Sequence, residues 1–239
     1  MKKVLLYALI AGAPLVAEAN AGFIGTLEFT PAGCEEAHQC KLAFDFGFID
    51  PKGTGWQANA GDDTDGATIP QWAQPLVGAS FDKSFIMAAA IHDHYVINHV
   101  RTWQATHLML YDALIESGVP VPKAQIMYFA VLAGGPRWVE LVEGIACPIG
   151  KMCLSSERMM KDPAVRMMKA KDRMLLVRGE SYGSPQFKMK MDAAHGFMAA
   201  KGENVTADDL ADLADLLEPN DAFASTVDMA VLPPPAAAK

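Results

Sequence analysis

Phe85-Ile86-Met87-Ala88-Ala89-Ala90-Ile91-His92-Asp93-His94-Tyr95 is an apolar run that ends in ionisable side chains. It follows an acidic, glycine-bearing loop, Gly61-Asp62-Asp63-Thr64-Asp65-Gly66-Ala67-Thr68-Ile69-Pro70. The run reads as a helix, capped at Ser80 or Asp82 and continuing to about residue 100. On that helix His92 and Asp93 point about a third of a turn apart, so they divide labour rather than face one ligand squarely. In the loop, Gly66 permits a turn with positive φ and Pro70 fixes the chain as it leaves. Such a turn can hold the Asp65 carboxylate inward. The bland alternative for Asp65 is a hydrogen bond to the amides of its own turn.

Working outward, residues 23–29 and 42–48 alternate large apolar with small or polar side chains, the period of a half-buried strand. Cys34 and Cys40 lie between them, so a disulfide-tipped hairpin is natural. Downstream, helices are expected over residues 103–116, 123–132 and 137–145, with Ser117-Gly118 and Gly134-Gly135-Pro136 as stops. The Met-, Lys- and Arg-rich stretch 157–178 reads as an amphipathic helix with a solvated face, and Thr206 with Asp209 opens another helix through residue 217. The predicted fold is α+β: a small N-terminal antiparallel sheet or hairpin packed on a cluster of about four helices, with a helical C-terminal extension. The expected divisions are a signal peptide at 1–21, a core domain at 22–153, the helical extension at 154–218 and a flexible Pro/Ala-rich tail at 219–239.

The signal peptide is read from order. Met1-Lys2-Lys3 is cationic, residues 4–16 are mostly apolar, and Ala17-Glu18-Ala19-Asn20-Ala21 offers a small-x-small cleavage site. The apolar run is too short for a membrane span. Export places the mature chain in the periplasm or outside the cell, facing a cell-envelope substrate or a protein partner, with no transmembrane span after cleavage. A net charge of -8 argues against a nucleic-acid partner. Four cysteines allow three connectivities. Local pairing, Cys34–Cys40 and Cys147–Cys153, is the simplest in an oxidising compartment, and the Cys-x-x-Cys spacing of common zinc modules is absent.

Asp65, His92, Asp93 and His107 could together ligate a divalent metal, zinc or calcium, through mixed nitrogen and oxygen donors. A lone helical histidine is more often a satisfied, partly buried one, and His94 and His99 are read that way. Thr64-Asp65-Gly66-Ala67-Thr68-Ile69-Pro70, then Ala90-Ile91-His92-Asp93-His94-Tyr95, then Tyr111-Asp112-Ala113-Leu114 before Gly118-Val119, resembles the bacterial and phage family catalogued as domain of unknown function 1353. The likeness covers about residues 27–132. That family usually carries an Ala-Asp pair in the later helix, where this chain has Thr106-His107. The resemblance implies no activity, but it singles out Asp65, His92 and Asp93 as the centre. Locally, His92-Asp93 with the following Tyr95 is similar to the catalytic helix of secreted calcium-dependent phospholipases, in which the His activates water and the Asp holds calcium.

The expected function is an exported, metal-dependent hydrolase of a cell-envelope component. Asp65 and His92 serve as ligand or base, Asp93 as ligand or orienter, and His107 as a further ligand. The competing expectation is a non-catalytic exported or phage-derived structural or interaction protein, in which the His-Asp centre is a buried polar network. A cleft opening onto His92 favours the first; a covered, fully bonded network favours the second.

Overall fold

A computed structural model of the chain describes residues 21–143, 147–224 and 226–232. The signal-peptide reading lies, but for its last residue, outside the described residues, and so does the end of the tail.

The N-terminal part is made of short strands. They are β1 (Gly22–Ile24), β2 (Phe29–Thr30), β3 (Cys40–Leu42), β4 (Phe46–Ile49), β5 (Gly55–Ala58) and β6 (Asp63–Thr64). β1-β4-β5 and β2-β3-β6 form two antiparallel sheets, in those orders. β5 shows why: Trp56 and Ala58 are buried while Gly55 and Gln57 are exposed. A slip of one residue would turn Trp56 out to solvent, forfeiting about 1.5–3 kcal/mol for one large side chain alone. Both disulfides take the local pairing, Cys34–Cys40 and Cys147–Cys153.

Four helices follow: α1 (Gln74–Val77), α2 (Ile86–Asn98), α3 (Trp103–Glu116) and α4 (Val121–Gly134). Ala88, Ala89 and Ala90 are buried in α2, and their small size lets its neighbours approach from several sides. The helix closes at His99, whose left-handed backbone (φ 53°) stops it. Thr102 caps α3 by accepting from the Ala105 amide.

Beyond α4 the chain departs from its expected elements. Arg137–Glu143 is strand β7, not a helix, and residues 144–146 lie outside the described residues. Its side chains feed two cores, Trp138 on one face and Val139 with Leu141 on the other, so burial on both faces hides the strand period. After β8 (Cys153–Ser155) and the single turn α5 (Ser156–Met159), β9 (Val165–Ala170) and β10 (Arg173–Arg178) form a hairpin where a helix was expected. α6 (Pro185–Lys201) and α7 (Ala207–Leu217) come next, the latter opened by the expected Thr206–Asp209 capping box. The tail is not wholly loose. Phe223 is fully buried, and β11 (Met229–Leu232) pairs in parallel between β7 and β8. The sheet order is β8-β11-β7-β10-β9. The fold remains α+β, with a C-terminal sheet added to the expected helices.

Three cores result. One lies between the N-terminal sheets and α2–α3, around Phe46, Trp56, Ile91 and Leu114. A second joins α4, α6 and α7 to one face of the C-terminal sheet, around Phe129, Trp138 and Phe187. The third covers the other face of that sheet. Ile69, Tyr111, Met127 and Val131 pack against both of the first two. Among the described residues no helix is long and apolar enough to cross a membrane.

Candidate active site

A cavity of about 140 Å³ lies where the first two cores meet. Its body is apolar, with Ala89, Leu110, Met127, Val131 and Phe187 among its walls. Its polar side chains are His92 and Asp93 of α2, Thr68 of the acidic loop, Glu180 and Tyr182 from the β10–α6 connection, and His195 of α6. Two glycines allow this closure. A Cβ on Gly66 would stand 2.6 Å from the Ser80 carbonyl, so only glycine lets the loop pass beneath residue 80, where the Ala67 amide donates to that same carbonyl. A Cβ on Gly134 would meet the Phe187 ring at 2.6 Å, so the end of α4 is cut back to receive α6.

His92 opens a directional chain of bonds. The Pro136 carbonyl can only accept, so His107 Nε2–H donates to it at 3.1 Å. His107 Nδ1 is then the acceptor for His92 Nε2–H at 2.9 Å. His92 is left with its lone pair on Nδ1. Burial holds both imidazoles neutral: His92 is pushed down to about 4, and His107 well below its usual value, with the neighbouring His92 and Arg137 adding to the effect.

Asp93 goes the other way. Its carboxylate Oδ2 accepts from Thr64 Oγ1, which in turn accepts from the Gly66 amide. It keeps a small opening onto the cavity, but the walls there are apolar. Desolvation therefore raises it to about 8, against the Thr64 bond, with the Asp65 charge pushing in the same direction. Glu180 is raised by desolvation and by Asp65. The Tyr182 hydroxyl is raised by burial and by the charges of Glu180 and Asp93. Asp65, Asp93 and Glu180 thus share one acidic field at the cavity mouth.

The residues expected from the sequence separate into groups. His92 and Asp93 line the cavity. Asp65 is exposed, and its backbone carbonyl accepts from His38 Nδ1 at 3.2 Å; it acts on the centre through its charge. His107 is fully buried behind His92. Among the described residues the one group of three metal-ligand side chains with atoms within 4.8 Å of one another is Cys34, Glu35 and Cys40, whose sulfurs form a disulfide. No three of Asp65, His92, Asp93 and His107 converge to that distance. His94 is satisfied as expected, donating through Nδ1 to Asp62 at 2.6 Å and tying the loop to α2. His99 is buried against Trp138. Thr64, Glu180, Tyr182 and His195 were not singled out from the sequence. Only Thr64 had a local signal, its place beside Asp65 in the quoted loop.

An α+β chain with an internal, acid-mouthed cavity is the class these features define. Residues 40–131, from β3 into α4, match the model of the family described as protein of unknown function (DUF1353). It is 44% identical over 132 residues to uncharacterized protein y4iH of Sinorhizobium fredii, an alignment covering 55% of each chain. To uncharacterized protein y4jT of the same organism it is 36% identical over 152 residues, 59% of this chain and 45% of that one. The chain therefore spans about half the length of these relatives. No solved structure matches it.

Proposed function

We propose that the cavity is the active site of an acid–base hydrolase cleaving a carboxylic ester or amide. The observation that carries this reading is the opposed displacement of two neighbouring cavity side chains, His92 down to about 4 and Asp93 up to about 8. At neutral pH the base is unprotonated and the acid still holds its proton. His92 Nδ1 takes a proton from water as the water oxygen bonds to the carbonyl carbon. Asp93 gives its proton to the departing oxygen or nitrogen as the carbonyl-to-leaving-group bond breaks. The carboxylate formed at Asp93 stabilises the imidazolium formed at His92, so the cavity's net charge does not change during the step. An apolar enclosure demands that economy. Proton return from His92 to Asp93 through water resets the site. Tyr182 is the hydroxyl donor for the carbonyl oxygen.

This reading uses Asp65, His92 and Asp93 where they stand, whereas a zinc or calcium ion would require those ligands to move together. The two disulfides and the expected signal peptide support export, which gives the enzyme a cell-envelope substrate. The test is turnover of a panel of p-nitrophenyl esters and anilides by the wild type, Asp93→Asn and His92→Gln, from pH 4 to 9 and with chelator. A bell-shaped profile with limbs near 4 and 8, lost in both folded variants and indifferent to chelator, is the expected result. Activity abolished by chelator and restored by zinc or calcium would replace it with the metal mechanism.

One observation favours the structural alternative: His92 Nε2–His107–Pro136 is a fully bonded chain with no free donor. On that reading the panel shows no turnover, and both variants lose stability only.

A further inference from the structure

The cavity's two ends differ in chemistry, and together they describe a ligand; this inference rests on the hydrolase reading and narrows its substrate. The body is an apolar space of about 140 Å³, walled largely by α2, α3, α4 and α6. An apolar cavity of about 150 Å³ accepts a benzene ring, so this one takes an aromatic ring or an unbranched chain of roughly six carbons. The mouth is acidic. Asp93 and the exposed Glu180 line it, and the exposed Asp65 acts on both through its charge. Lys188 lies over the Trp72 ring of the wall and is paired with Asp192 at 3.0 Å. No Lys or Arg is among the described residues lining the cavity, so an anionic head would meet carboxylates with no wall cation to receive it. An uncharged or cationic head meets either neutral donors or opposite charge.

The geometry points to a substrate that is a medium-chain or aromatic acyl amide whose amine portion is neutral or cationic. The acyl group enters the body, the carbonyl stops at His92 and Asp93, and the amine portion faces Asp65 and Glu180. Hydrolysis then leaves a carboxylate inside an acidic cavity, and the same field that welcomed the amide expels the acid.

Calorimetric binding of hexanamide, hexylammonium and hexanoate at pH 7 tests this, on the wild type, Ala89→Leu and Ala130→Leu, with circular dichroism to confirm folding. Hexanamide and hexylammonium should compete for one site, and hexanoate should bind at least about tenfold more weakly. Ala89→Leu or Ala130→Leu, each adding bulk to the cavity wall, should weaken hexanamide by about tenfold or more, whichever of the two folds. Hexanoate binding as tightly as hexanamide, or folded filled variants binding like the wild type, would overturn the assignment. Expected binding without turnover of any acyl amide would remove the hydrolase reading and leave the ligand class. Turnover insensitive to acyl length and to Ala89→Leu would do the reverse.

Discussion

Two polar centres are buried in this chain, and they handle charge in opposite ways. Around Arg137, itself 1% exposed, every charge has a counter-charge. Its guanidinium binds the Asp221 carboxylate and the carbonyls of Leu132 and Phe223, and it lies over the Trp103 ring. Arg178 grips Asp221 through two bonds of 2.8 and 2.9 Å, and Lys190 joins Glu218 to the Ala133 carbonyl. In the cavity, by contrast, Asp93, Glu180, His92 and His195 line the wall with no Lys or Arg among them, while Asp65 acts on it by charge and His107 lies behind His92. The first centre is a cross-link fastening the segment after α7 to β7 and β10. The second holds groups whose protonation states are displaced chiefly because burial strips them of water. Displacement next to a cavity, rather than burial of polar groups as such, is what marks the second as a candidate for chemistry.

Removing one partner from each centre should therefore give opposite results. Asp221→Ala strands Arg137 without its carboxylate and should cost about 3–5 kcal/mol, read as a lower urea midpoint with the slope unchanged. Adding Arg137→Met to it should recover much of that loss, since the stranded charge is gone. Full cost in the double variant would break the view of this centre as paired charge.

Asp93→Asn should raise stability instead. The native carboxyl is protonated up to about pH 8, whereas an unfolded one ionises near pH 4. Between those values the native state holds a proton that the unfolded state has shed, so this group's contribution is complete below pH 4 and declines as pH rises to 8. Asparagine removes that decline. The gain should be on the order of 5 kcal/mol at pH 8, about four pH units at ~1.4 kcal/mol each, and close to nothing at pH 4, measured by thermal melts across the range. His92 runs the other way. Its folded value near 4 means that stability is full above about 6.5 and lost as pH falls toward 4. A smaller effect belongs to His107→Gln, which can still donate to the Pro136 carbonyl but misplaces the acceptor for His92. It should cost about 1 kcal/mol and lower turnover while leaving the alkaline limb in place.

The sequence disclosed the two centres unequally, for physical reasons. α2 was legible because its alanines, its apolar run and the Gly66 turn are local features, and His92 and Asp93 came with it. His107 was singled out as a metal ligand; the structure sets it 2.9 Å from His92, a relation that one dimension does not display. β7 hid because both its faces are covered, and β9–β10 because Met, Lys and Arg favour helices until cross-strand pairing overrides them. Glu180 and Tyr182 reach the cavity only after the chain has crossed the C-terminal sheet, so no local pattern announces them. The Arg137 centre joins α4–β7 to the segment after α7, and such long-range pairing leaves no periodic trace.

The finest test of the contrast is Asp65→Asn. Asp65 is exposed and touches neither the cavity wall nor the paired centre, so stability should change by less than about 0.5 kcal/mol. Its charge nonetheless helps to raise Asp93 and Glu180. Removing it should move the alkaline limb of the turnover profile down by a fraction of a pH unit, toward the ordinary carboxylate range. Raising the ionic strength of the wild type should move the limb in the same direction, because an exposed charge is screened. The variant should then respond less to salt than the wild type does. If the limb stays fixed in the variant and in salt alike, Asp93 owes its displacement to desolvation alone, and the acidic mouth plays no part in setting the proton at the centre.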